Sequence, residues 1–363
     1  MNILLLASHA VAEYDDIRMF TDMGHDVFCP GGYQDPSQGA EGIRPGIPNA
    51  PLHPDLIAAC EEQRGKYGDP AENIDWAKAR LHPDLIDWAD VIIAHHFVER
   101  WIGSQWSRIR HKRVIWRTCG QSDPRLERVM APFRREGLQI VRYSPKERAY
   151  FEPIKHWAGE DALIRFGKYP ADYGPWDGSD AVVGNLTQDM VNRGDACGYP
   201  YWQRVTEGLP TLPAGKGSEA IGGLGVLTYE GMLDYLRSLR VYLYTGTRPA
   251  SYTLGLIEAM LSGVPVVSIS AMDWGRNWAG ETLFEGHDIA GSSYPIDWTA
   301  RELKYLLDFH EAAKVRGERG RQRAIDIFGI ERIAARWQDF LDGRELKPEP
   351  PLRYIDTLPE VAA

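Results

Sequence analysis

Apolar and polar positions along the chain fall into short uninterrupted apolar runs separated by helix-length segments. Residues 1–7 (MNILLLA), 90–94 (DVIIA), 114–117, 138–143, 181–186 (AVVGNL), 241–244 and 264–269 are such runs. Runs that do not alternate suit strands buried on both faces of a parallel sheet. Residues 13–22 predict a helix that Gly24 ends, and residues 27–29 begin the next strand. Residues 57–63, 70–79 and 82–89 predict further helices, and Ser144-Pro145 opens another with proline in its first turn. Strands alternating with helices predict an α/β protein with parallel sheets. Residues 30–54 are rich in Gly and Pro without apolar periodicity, which predicts a long surface loop. Residues 170–178 (PADYGPWDG) predict an interdomain hinge. The resulting division is a first unit at 1–168, a second at 169–343 and a proline-rich tail at 344–363.

Residues 241–267, VYLYTGTRPASYTLGLIEAMLSGVPVV, are the most informative stretch. A buried strand runs into a polar loop, then a helix with Thr253 as N-cap and Leu254, Ile257 and Leu261 as its apolar stripe. Ser262-Gly263 stops that helix, and Pro265 prevents its continuation into the next strand. A helix start at the carboxyl end of a parallel strand offers free N–H groups and a positive dipole to an anion, which makes it a phosphate site. Thr247, Ser251, Tyr252 and Thr253 form the loop that approaches it, and Arg193 and Arg248 are cations able to neutralise a diphosphate.

This stretch resembles the donor motif of retaining family 4 glycosyltransferases of the GT-B type. Leu254, Glu258, Ala259, Met260, Gly263, Pro265, Val266 and Val267 align with it without a gap. Ala250 falls on the family's first motif glutamate, and Ser251 and Thr253 fall on its two glycines. Gly24 to Val27 resembles a GHeV element of the family's first domain, and residues 181–186 resemble its VGRL strand end, with Asn185 on the arginine. Arg193-Gly194 resembles its Lys-Gly, and residues 225–240, which include Leu227, resemble the loop and helix beside the nucleotide base. The resemblance implies two Rossmann-like, doubly wound domains facing an interdomain cleft. It implies transfer of a sugar from a nucleotide diphosphate sugar, a UDP-sugar in preference to a GDP-sugar, to an acceptor hydroxyl with retention and without a cofactor or metal. Donor contacts then fall on Gly184, Asn185, Arg193, Leu227, Thr247, Arg248, Ser251, Tyr252, Thr253, Leu254 and Glu258, with Glu258 accepting the ribose hydroxyls. His95 and Arg193 become the catalytic candidates, and Ser8, His9, His96 and Cys119 the acceptor side. Trp274 and Trp278, in the loop after the motif, are candidates to line a pocket.

Composition narrows the alternatives. The 363 residues are 44% hydrophobic and 25% charged, as in a soluble globular protein of two domains. No apolar run approaches the roughly 18 residues of a membrane span, and the first residues lack the layout of a signal peptide, so a cytoplasmic location is expected. Cys29, Cys60, Cys119 and Cys197 are scattered singly, which supports neither a disulfide framework nor a zinc site. Asp84, Asp87 and Asp90 show no metal-ligand spacing, GxGxxG does not follow the first strand, and Gly215-Lys216-Gly217-Ser218 lacks the upstream glycine of a Walker loop. The net charge is −10, yet residues 100–148 hold 13 of the 41 Lys and Arg and only 4 of the 51 Asp and Glu. That block is either an arginine-rich solvated surface or a face for a polyanion, nucleic acid or an anionic membrane. It raises a second reading, a transferase acting on hydroxymethylated bases in DNA. Ala250 and Asn185 raise a third, a sugar-nucleotide-binding protein without catalysis; the other acceptor classes are carbohydrate and lipid-linked.

Overall fold

The computed structural model describes residues 1–6, 10–29, 44–45, 81–95, 99–119, 123–248, 250–269 and 296–349. The expected loop at 30–54 (apart from Arg44 and Pro45), the helices at 57–63 and 70–79, Ser8, His9, His96, Trp274, Trp278 and the end of the tail lie outside these residues.

The first unit is a six-stranded sheet in the order β2-β1-β3-β4-β5-β6. Its strands are β1 (Asn2–Leu6), β2 (Asp26–Phe28), β3 (Val91–His95), β4 (Arg113–Arg117), β5 (Gln139–Arg142) and β6 (Ala162–Leu163), and all pairings are parallel. Helices α1 (Ala10–Asp22), α2 (Pro83–Trp88), α3 (Glu99–Ile109), α4 (Pro124–Arg135) and α5 (Pro145–Phe151) connect them. β1 shows why an unbroken apolar run becomes a central strand. Leu4 and Leu6 enter one apolar cluster with Leu85, Ile102 and Met130, while Ile3 and Leu5 enter another with Ile17 and Phe20 on the opposite face. Ile3 pairs with both Val27 and Val91, so the strand order reverses at β1, which opens a crevice at the carboxyl edge.

The second unit holds β7 (Asp180–Gly184), β8 (Leu239–Tyr244) and β9 (Val266–Ser268), again parallel. With it go α6 (Met190–Arg193), α7 (Tyr199–Val205), α8 (Tyr229–Ser238), α9 (Leu254–Ser262), α10 (Ile296–Asp308) and α11 (His310–Phe328). The local pattern of the motif helix is met: the Thr253 hydroxyl accepts from the Leu256 N–H, and Gly263 closes α9 at φ +86°. A Cβ on Gly317 would stand 1.8 Å from the Gly263 carbonyl oxygen, so α11 crosses the end of α9 backbone against backbone.

Two chain segments join the units, and they pair with each other. The Lys168 N–H donates to the Phe328 carbonyl, and the Ile330 N–H donates to the Lys168 carbonyl, both at 2.8 Å. The final helix, α12 (Ile330–Leu341), then returns to the first unit: Ile333, Trp337, Phe340 and Leu341 pack with Ile3, Leu5 and Phe20. Residues 330–341, expected with the second unit, thus pack on the first sheet. The helix has an apolar stripe, but a stripe does not say which sheet it covers.

The basic block also resolves differently from a single charged face. Arg117 and Arg142 are fully buried, on Asp16 and Glu127 respectively. Arg125, Arg134 and Arg148 meet Asp123, Asp161 and Glu160 at 2.6, 2.6 and 3.3 Å. Arg113 donates to the last carbonyls of α12, those of Phe340 and Leu341. Arg128 and Arg135 stay exposed on α4.

Candidate functional site

Two described loops leave the carboxyl edge of the second sheet, after β7 and after β8. After β7, Gly184 allows the closest approach, because a Cβ there would meet the Tyr235 hydroxyl at 2.2 Å. Asn185 is buried and turned into the sheet: its Nδ2 donates to the Leu243 carbonyl at 2.8 Å, while its Oδ1 has no hydrogen-bond partner among the described residues. Residues 187–189 lead into the short α6, and Arg193, half-buried at its end, donates from Nη1 to the Gln188 carbonyl at 3.4 Å. After β8, Thr245 is buried and Thr247 is half-buried, its hydroxyl 4.0 Å from the Cys197 sulfur. Arg248 is anchored by its N–H to the Ala196 carbonyl and by Nη2 to the Asp195 carbonyl, each at 2.7 Å. Thr253 and Leu254 then begin α9, whose first N–H groups lie at this edge. Leu227 is half-buried just before α8, where Thr228 caps the helix through the Gly231 N–H.

Ser251 and Tyr252, expected in the same loop, are drawn to the first unit. The Ser251 N–H donates to the Tyr143 hydroxyl at 2.9 Å, and the Tyr252 hydroxyl donates to the Tyr143 carbonyl at 2.8 Å. Tyr252 lies edge-on to Tyr143, Phe166 and Phe328, with ring centroids 5.1, 5.9 and 5.3 Å away. These rings weld the donor-side loop to the end of β5, so the Tyr252 side chain is part of the domain junction.

Glu258 lies at the centre of a buried ionic cluster. Its carboxylate takes Lys168 Nζ at 2.7 Å, the Arg44 guanidinium and the Tyr173 hydroxyl at 3.3 Å, and Lys168 also meets Asp15 at 2.6 Å. Asp15 and Arg44 belong to the first unit, Lys168 lies where the chain crosses over, and Glu258 belongs to the second. Burial alone would raise the Glu258 pKa, but the charges of Arg44 and Lys168 outweigh it and hold the carboxyl at about 2. For Asp15 burial prevails over the same cations and pushes the pKa up to about 6. The expectation that Glu258 waits open for a ribose thus meets a carboxylate already shared by two cations.

On the first unit, His95 is fully enclosed, its Nε2 2.9 Å from Asp16, and the same carboxylate takes Arg117 Nε at 3.0 Å. Its ring has no exposed surface. Cys119 is buried with Tyr143 and Phe166, and burial pushes its thiol up to about 12, so it carries no thiolate at neutral pH. Among the described residues, no group of three His, Cys, Asp or Glu side chains could hold a metal ion.

The sequence reading passed over Asp15, Asp16, Arg44, Tyr143, Lys168 and Tyr173. One signal was available: the acidic pair Asp15-Asp16 sits in a helix that must cover an apolar sheet, where an unpaired carboxylate is costly.

No protein-family model matches the sequence, and no curated protein matches it. Solved structures do. Sucrose-phosphate synthase from Thermosynechococcus elongatus is similar with a TM-score of 0.66 at 14% identity, over 94% of this chain and 98% of its own. HepE of Anabaena in complex with UDP-glucose follows at 0.62 and 13%, over 94% and 100%. The fold is GT-B. An alpha-glucosyltransferase, solved with UDP and a 13-mer DNA containing an HMU base, shares this GT-B arrangement with a TM-score of 0.57 at 10% identity, over 94% and 98%. Among the described residues, no helix is long and apolar enough to cross a membrane.

Proposed function

We propose that the chain is a glycosyltransferase that moves a sugar from a UDP-sugar to an acceptor hydroxyl with retention of configuration. The observation that carries this reading is the carboxyl edge of the second sheet, where the loop after β7 leads to Arg193 and the loop after β8 carries Arg248 and runs into the first amides of α9. Charge grows on a diphosphate as it leaves, so cations and N–H groups fixed at that position favour the transition state over the bound donor. A donor in the crevice is shielded from water by the first domain, which brings the acceptor. Glu258 serves the nucleotide's ribose once its cations give way, and His95, through Asp16, holds the ends of β3 and β4 in place beside the crevice. Carbohydrate and lipid-linked hydroxyls are the acceptor classes that suit this reading. HepE, similar in fold, was solved with UDP-glucose, and this supports a UDP-sugar donor.

Titration calorimetry with UDP tests the proposal. Saturable binding is expected, weakened about tenfold or more in Glu258→Gln, which keeps the side-chain shape but loses a charge-assisted hydrogen bond. Equal binding by both proteins would move the nucleotide elsewhere.

A DNA acceptor is the second reading, favoured by the alpha-glucosyltransferase solved with DNA. The burial of Arg117 and Arg142 on Asp16 and Glu127 weighs against it. Gel shifts with duplex at low salt decide: binding that falls steeply with added salt supports it, and no binding removes it.

A further inference from the structure

The carboxyl edge of the second sheet holds one more cation, Lys216, which the roles above leave unused. Residues 210–214 run beside β7: the Val183 N–H donates to the Pro210 carbonyl and the Leu212 N–H to the Val183 carbonyl, both at 2.9 Å, and the Ala214 N–H donates to the Asn185 carbonyl at 2.8 Å. The chain therefore leaves the sheet next to Asn185 and turns at once through Gly215, Lys216 and Gly217.

That turn is fixed on the neighbouring loop. The Asp189 N–H donates to the Lys216 carbonyl at 2.7 Å, and the Lys216 N–H donates to Gln188 Oε1 at 2.9 Å. Gly215 and Gly217 stand at φ +109° and +78°, where a side chain is strained, and a Cβ on Gly215 would be 3.0 Å from the Thr187 carbonyl oxygen. Gln188 is also the residue whose carbonyl accepts from Arg193. Lys216 and Arg193 are thus tied by hydrogen bonds to one residue, from two different loops. Lys216 is exposed and forms no ion pair among the described residues. Asn185, the uncharged residue at the strand end, turns its amide nitrogen inward to Leu243.

We infer that Lys216 is a second cation for the donor's diphosphate beside Arg193, presented from the neighbouring loop that Gln188 ties to it. The inference rests on the donor reading proposed above. A lysine suits the task, because its ammonium is a compact point charge on a flexible stem that reaches phosphate without the two-pronged geometry arginine requires.

The test titrates UDP and uridine into the parent protein and into Lys216→Ala, Lys216→Arg and Arg193→Ala. Lys216 is exposed, so its variants should fold as the parent does. The expected result is UDP binding about tenfold weaker in Lys216→Ala and largely retained in Lys216→Arg, as for loss of one charge-assisted contact, with uridine binding unchanged. Parent-like UDP affinity in Lys216→Ala, alongside weakening in Arg193→Ala, would overturn the inference and leave the donor reading intact. Parent-like affinity in both would remove the donor site from this edge altogether. Equal weakening of UDP and uridine by Lys216→Ala would mean that the lysine shapes the turn and does not read phosphate.

Discussion

Arginine and lysine serve opposite ends in the two halves of the molecule. In the first half, Arg142 is sealed against Glu127 by two hydrogen bonds of 2.5 and 2.8 Å, and Arg117 shares Asp16 with His95. In the second, Arg193 donates to a loop carbonyl and, among the described residues, forms no ion pair, and Lys216 is exposed on a glycine turn. The difference teaches that charge counted along a sequence is not charge available to a ligand. A buried cation is tolerated only with a carboxylate against it, so it adds almost nothing to the outer field. A cation at a sheet's carboxyl edge keeps its charge for whatever enters. Within the arginine-rich stretch, Arg117 and Arg142 are therefore spent on buried carboxylates, whereas Arg193 and Lys216 lie at the carboxyl edge of the second sheet.

This contrast can be broken most directly by exchanging what is lost. Arg142→Ala should destabilise the fold by about 3–5 kcal/mol, because it leaves Glu127 buried without its partner. Glu147, already raised to about 7 by burial against the opposing pull of Arg142, would rise further. Denaturant unfolding measures the loss, and a change below about 1 kcal/mol would mean the pair is not structural. Arg193→Ala should do the reverse, leaving stability within about 0.5 kcal/mol while turnover falls about a hundredfold. Unfolding curves and single-turnover rates on the same sample separate the two effects, and a stability loss like that of Arg142→Ala would erase the contrast.

A smaller effect sharpens the comparison within the first half, where the buried Glu13 meets no cation among the described residues. Glu13 is buried, with Cys29 Sγ donating to its Oε1 at 2.9 Å. Burial raises its pKa from 4.5 to about 8, and the Cys29 contact opposes only in part. The proton is thus favoured in the folded state: the stability it contributes is complete below pH 4.5 and lost as pH rises through about 8. Glu13→Gln, which keeps the neutral shape, should match the parent in Tm at pH 4.5 and exceed it increasingly toward pH 9. A Tm difference that stays flat across that range would show that Glu13 is ionised in the folded protein.

Much of the fold was legible from residue order. The unbroken run at Ile3 to Leu6 became the central strand, and Thr253 and Gly263 bound the motif helix where cap chemistry places them. Gly184, Arg193, Arg248 and Leu254, all named from the sequence, end β7, end α6, follow β8 and begin α9 respectively. Illegible were the partners. Nothing near Glu258 in sequence announces Lys168, 90 positions away, or Arg44, 214 positions away. Tyr252 read as a ligand-loop residue and proved to be an interdomain anchor, because its aromatic neighbours come from β5, the crossover and α11.

The sequence by itself determined the longer buried strands, the motif helix with its start and stop, and the parallel α/β class. Those features follow from local forces: side-chain periodicity, backbone φ preferences and caps within four residues. Only the tertiary structure decided that α12 covers the first sheet, that His95 faces Asp16 inside the domain, and that Glu258 closes an ionic cluster between the units. Each of those outcomes depends on which distant groups share a buried volume, where a charge must find its opposite or cost several kcal/mol. That choice is made by packing, and residue order does not encode it in any short window.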